Sequence, residues 1–118
     1  MNNDFQKSKF DIEFLEGAVE FLEHLDERVM DKIIYNITKA RYSTDKELFK
    51  KLNGDIWEFR TYYKSAHYRL FAFWDKRSEA ETLIIATHGL IKKSGKTPQA
   101  DLDKATRLRK LYLTLNVP

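Results

Sequence analysis

Apolar positions along this chain follow two different periods. Across residues 15 to 42 they recur every three or four residues; across 56 to 88 they alternate with polar positions or run together. The first pattern is that of helices with one buried face, the second that of strands. In "LEGAVEFLEHL" the residues Leu15, Ala18, Val19, Leu22 and Leu25 form one stripe, with Glu16, Glu20, Glu23 and His24 pointing outward. Over residues 27 to 42 the stripe continues through Val29, Ile33, Ile34, Ile37 and Ala40, which predicts two amphipathic helices joined tightly at Asp26. Ahead of them "KFDIEF" is a candidate edge strand.

"STDKELFKKLNGD" has a cap-like start and an Asn-Gly stop, which predicts a short helical turn followed by a tight turn. Three strands follow: "IWEFRTYY" (56 to 63), "AHYRLFAFW" (66 to 74) and "TLIIATH" (82 to 88). Their aromatic and β-branched content and short connections, "KS" and "DKRSEAE", predict an antiparallel meander. The chain then closes on a basic amphipathic helix, with Thr97 as cap, Pro98 in the first turn and Leu102, Ala105, Leu108, Tyr112 and Leu115 along one stripe. The order β, α, α, β, β, β, α predicts an α+β fold: two N-terminal helices on an antiparallel sheet of three to four strands, plus a C-terminal helix. The sheet face away from the two helices is then partly open.

Composition narrows the reading. At 118 residues the chain fits one domain, residues 1 to 118, and 42% hydrophobic with 33% charged residues is the balance of a folded protein. With no cysteine, disulfides, thiolate metal sites and cysteine nucleophiles are excluded. "MNNDFQKSKF" lacks the pattern of a signal peptide, and no apolar run approaches the roughly 18 residues of a membrane span, so a cytoplasmic protein without a membrane partner is expected. The net charge of +3 conceals a segregation: residues 1 to 31 carry −6, residues 32 to 87 carry +4 and residues 88 to 118 carry +5. An acidic flank and a basic face imply a polyanionic partner, against the alternative of ordinary solvated surface charge.

Period-two alternation sorts the strand residues by face. If Trp57, Phe59, Leu70 and Ala72 meet the helices, then Glu58, Arg60 and Arg69 point to the open side; His88 joins them in one of two possible registers. For an RNA partner these are apt groups. Metal-independent strand cleavage needs a proton taken from the ribose 2′-hydroxyl, the phosphorane charge stabilised and the 5′-oxygen protonated. His88 titrates near neutrality and can move protons, while Arg60, Arg69, Lys92, Lys93 and Lys96 can hold phosphate. Glu58 is the one acidic candidate, as a base or as the partner of an arginine. The alternatives are structural: His88 as a hydrogen-bonded strand-end histidine, and Arg60 and Arg69 as surface residues paired with Glu58. His67 reads as a turn residue and His24 as a helix-surface residue; Tyr62 is the one aromatic side chain left open for base stacking. No phosphate-cradling loop, dinucleotide fingerprint, zinc signature or serine-hydrolase elbow is present.

The stretches "NGDIWEFRTYYKSAHYRLFAFWDK" and "LIIATHGLIKKSGKTPQADLDKATRLRKLYL" resemble the HigB-like, phage-related branch of the RelE/ParE toxin superfamily. The resemblance covers about residues 52 to 112, and the two preceding helices fit the same fold. It implies the toxin of a type II toxin-antitoxin system, an endoribonuclease that cleaves mRNA on the ribosome without metal or cofactor and is neutralised by a helix-turn-helix antitoxin. Position by position it implies RNA contact and cleavage at Arg60, Arg69, His88, Lys92 and Lys93. Leu90 stands where the family often has an aromatic residue, and no counterpart of the C-terminal tyrosine of some RelE relatives is present, which leaves His88 or Glu58 as the base. Two alternatives share the fold: a ParE-like inhibitor of gyrase without nuclease activity, and an inactive prophage relic that only binds an antitoxin.

Overall fold

A computed structural model of the chain describes residues 7–77, 82–92 and 96–116. In chain order the elements are β1 (Asp11–Phe14), α1 (Glu16–Glu23), α2 (Glu27–Tyr42), β2 (Phe49–Asn53), β3 (Ile56–Tyr63), β4 (Ala66–Asp75), β5 (Leu83–Lys92) and α3 (Gln99–Leu115). The strands form one sheet in the order β1-β5-β4-β3-β2.

Two features depart from the expected three or four antiparallel strands. The segment expected as a helical turn and a tight turn contains a fifth strand, β2, which pairs antiparallel with β3 through Phe49↔Phe59, Lys50↔Glu58 and Lys51↔Trp57. The sheet is also mixed, because β1 runs parallel to β5 from Asp11↔Leu83 to Phe14↔Ala86. A parallel neighbour requires a long crossover, which the chain supplies by travelling through both helices and the whole meander before returning.

The helices form for local reasons. Asp26 accepts a hydrogen bond at 2.9 Å from the Arg28 amide and so caps α2. Val29, Ile33, Ile37 and Ala40 of α2 and Ala18 and Leu22 of α1 are buried against Phe59, Leu70, Ala72, Ile84 and Ala86 of the sheet. Phe10, just before β1, sits in an aromatic cluster with Phe49, Phe59 and Trp74, its ring centroid 5.7–6.0 Å from theirs. Of the predicted stripe residues, Val19, Ile34 and, on α3, Leu115 remain exposed.

The face expected to be open is half covered. There α3 packs Leu102, Ala105 and Tyr112 against a second cluster of Ile56, Phe71, Phe73 and Ile85. Ala105 is fully buried, and its small side chain lets the helix lie close to the sheet. The rest of that face, toward the β3–β4 hairpin, is left to polar residues. The hairpin turns at Lys64 and Ser65, both at positive φ (48° and 67°), as a two-residue turn matched to strand twist demands.

Candidate functional site

The uncovered part of the α3-side face is set by alternation. Glu58, Arg60 and Tyr62 project from β3, and His67 and Arg69 from β4, with Arg60 opposite Arg69 and Tyr62 opposite His67. Lys92 of β5 lies opposite His67. On the other flank β2 contributes Lys50, opposite Glu58. Over this patch comes the chain leading into α3, carrying Lys96 and Thr97. Lys50, Leu52, Asn53, Glu58, Arg60, Arg69, Lys96, Thr97 and Leu102 enclose a cavity of about 330 Å³.

Glu58 is the centre of its charge pattern. Its carboxylate is buried and lies 3.6 Å from both the Arg60 Nε and an Arg69 terminal nitrogen. The Thr97 hydroxyl donates to its other oxygen at 3.4 Å. Arg69 is buried as well, and the Nε atoms of both Arg60 and Arg69 are shielded from solvent without a hydrogen-bond partner. Burial lowers the Arg69 pKa from its ordinary value, the Glu58 charge opposes this and the neighbouring Arg60 adds to it. An arginine nonetheless stays charged. Lys92 is likewise lowered, first by burial and then by the Arg69 charge, so its ammonium gives up a proton more readily than an exposed lysine. Arg60 and Arg69 thus flank one carboxylate at long distance, which leaves guanidinium N–H groups available to a further anion, and Lys50, Lys92 and Lys96 add positive charge nearby.

His88 stands elsewhere. Strict alternation places it on the face of Ile84 and Ala86, under the N-terminal helices. A bulge prevents this: Phe71 pairs with His88 and Ala72 with Ala86, so Thr87 is the extra residue and everything after it changes face. His88 therefore reaches the α3 side, as one of the two registers allowed. It lies beneath α3, its ring 4.8 Å from that of Phe71, rather than in the basic cavity. Its Nε2 is 3.1 Å from Asp101 in the first turn of α3, and its Nδ1 is 3.0 Å from the Thr87 hydroxyl. With Nε2–H donating to the carboxylate, Nδ1 faces the Thr87 hydroxyl, whose single proton serves either Nδ1 or the Phe71 carbonyl 3.3 Å away. Burial pushes the pKa of His88 down, the hydrogen bond to Asp101 only partly offsets this, and Lys104 and Arg107 depress it further.

Of the residues singled out from sequence, Glu58, Arg60, Arg69, Lys92 and Lys96 are brought together, His88 is set apart from them, and Lys93 lies outside the described residues. Two groups were missed. His67 is a β4 residue on the Arg69 face, its ring 4.6 Å from Tyr62, rather than part of the turn. Alternation from Arg69 was the signal that placed it. Lys50 was missed because β2 was. Among the described residues no group of three or more His, Asp or Glu is arranged to hold a metal ion, and no helix is long and apolar enough to cross a membrane.

By the family whose model it matches, the chain falls in the RelE/ParE-like toxin superfamily. Within it, the chain belongs to the family described as Phage derived protein Gp49-like (DUF891), whose model matches residues 20–110, from α1 through most of α3 and across every cavity residue. No curated protein matches the chain.

Proposed function

We propose that this Gp49-like protein is a HigB-like toxin of a type II toxin-antitoxin pair, an endoribonuclease that binds mRNA on the ribosome at the basic end of its sheet. One observation carries the reading: Arg60 and Arg69 meet the buried carboxylate of Glu58 in an open cavity that Lys50 and Lys96 also line, with Lys92 beside it in the field of the same three groups. A structural ion pair needs one arginine. This surplus of positive charge, with guanidinium N–H groups unpaired, suits a phosphodiester and the added charge of its phosphorane.

In this reading Glu58 takes the proton of the ribose 2′-hydroxyl, and the 2′-oxygen forms a bond to phosphorus as the bond to the 5′-oxygen breaks. Arg69 and Arg60 hold the equatorial oxygens. Lys92 and His67, paired across β4 and β5, are the groups that can return a proton to the leaving 5′-oxygen. His88 acts as a positioning residue: by holding Asp101 it fixes the first turn of α3 and with it the preceding Lys96 and Thr97, which line the cavity. A helix-turn-helix antitoxin is the expected partner, and the cytoplasm the expected location.

The test is cleavage by the purified chain of an mRNA on translating ribosomes, reading the chemistry of the fragment ends. Fragments with 2′,3′-cyclic phosphate and 5′-hydroxyl ends, formed in the presence of a chelator, are expected. Intact mRNA with inhibited gyrase supercoiling would replace this reading by the ParE-like one. Intact mRNA, active gyrase and no growth arrest would leave an antitoxin-binding relic.

A further inference from the structure

The basic cavity is the first of three that adjoin one another. Asn53 and Leu102 line both it and a hollow of about 230 Å³ between the β2–β3 turn and the start of α3. Gly54, Asp55 and Arg109 are in turn shared by that hollow and a third cleft of about 380 Å³, which Lys51, Trp57, Trp74, Lys76 and Arg77 complete. Glu58 and Trp57 are consecutive on β3 and face opposite ways, so the groove leads around the end of the sheet at the β2–β3 turn.

The third cleft combines two indoles with unneutralised charge. Trp57 and Trp74 are half-buried and meet edge to face with ring centroids 5.8 Å apart, and Phe49 stacks behind Trp57 at 4.8 Å. An indole backed in this way keeps its orientation without a ligand. Arg77 is held by Asp75 and by the Leu113 and Asn116 carbonyls. The other cations are freer. Lys51 and Lys76 make no ion pair among the described residues, and Arg109 has a 3.5 Å contact with Asp55 and a buried Nε without a partner. Indole surface for a base, with ammonium and guanidinium groups for its phosphate, is the pattern of a single-stranded nucleic-acid subsite.

We propose that this cleft binds one base and its phosphate of the RNA strand whose scissile bond lies at Glu58 and Arg69, an inference that rests on the ribonuclease reading for the identity of the polymer. The base packs on Trp57 and Trp74, and Lys51, Lys76 and Arg109 hold the phosphate.

The chain has only two tryptophans, both in the cleft, so intrinsic fluorescence reports on it directly. The probe is an end-labelled octaribonucleotide methylated at every 2′-oxygen, which cannot be cleaved, with label anisotropy and tryptophan emission followed in one titration. Saturable quenching that tracks the anisotropy is expected, with affinity reduced at least fivefold in a Lys51→Gln/Lys76→Gln double variant and in Trp57→Leu. The double variant changes only exposed side chains and keeps the test valid should Trp57→Leu fail to fold. Binding without any change in emission, unchanged affinity in the double variant, or no binding at all would overturn the subsite. Cleavage is scored separately by fragment ends: cut RNA without quenching removes the subsite and leaves the nuclease, whereas quenching without cut RNA supports the subsite and removes the nuclease.

Discussion

Arg69 is the side chain with most at stake. A guanidinium buried beside a buried carboxylate can gain less from the pair than both groups lose by leaving water, so the pair is weak evidence for a stabilising role and leaves room for a ligand-binding one. Arg69→Gln is expected to abolish toxicity in a growth assay while the purified variant remains folded. Arg69→Ala, which leaves Glu58 with only Arg60 and Thr97, is expected to cost about 3 kcal/mol in urea unfolding as well. His88 makes a different prediction. Because its folded pKa lies below the ordinary 6.5, the unfolded chain binds the proton more readily. Its contribution to stability is therefore present above pH 6.5 and is lost as pH falls through the folded pKa. Wild-type stability should decline below pH 6.5 with a slope of up to about 1.4 kcal/mol per pH unit, and His88→Gln should flatten the curve below pH 6.5. An equal slope in the variant would remove His88 as the cause.

At the scale of elements, the bulge at Thr87 decides the most, since it aims His88 at α3 and lets α1 approach β5 closely. A Cβ on Gly17 would lie 2.9 Å from the Thr87 carbonyl oxygen, a backbone atom that cannot step aside. Gly17→Ala should therefore destabilise the fold by about 1–3 kcal/mol in chemical denaturation, despite alanine's better helix propensity. The β3–β4 turn offers the opposite change. Lys64 and Ser65 both hold positive φ without being glycine, so Lys64→Asn with Ser65→Gly should raise stability by about 1 kcal/mol.

These same elements explain what the sequence made legible. β3 and α2 matched their readings to the residue, and α3 nearly so, because buried stripes and aromatic alternation are strong local signals. β2 was hidden because a half-exposed edge strand with two lysines between Phe49 and Leu52 carries only two apolar positions, and its pairing slips between Lys51 and Asn53. The parallel pairing of β1 and the docking of α3 depend on residues distant in sequence. The convergence of Glu58, Arg60 and Arg69 followed from alternation alone. The separation of His88 from them did not, since a bulge of one residue leaves no mark on composition or period.

For the whole molecule, the charge segregation takes on a spatial meaning. Three of the four cavity cations come from the meander or its edge strand β2 and one from the approach to α3, with Lys92 at the end of β5 beside them, while the acidic positions Glu16, Glu20 and Glu23 lie on α1 across the sheet. A strand of RNA meeting three or four of these cations should lose about tenfold or more in affinity between 50 and 200 mM salt, measurable by anisotropy. A flat salt response would mean that phosphate contacts do not hold the complex.

The most direct measurement of the central claim is to induce the wild-type chain and Arg69→Gln side by side in a bacterium and map the 5′ ends of cellular RNA. New ends inside coding regions with wild type and none with Arg69→Gln are the predicted result. Growth arrest by the wild type without new ends, or the same new ends from Arg69→Gln, would contradict it.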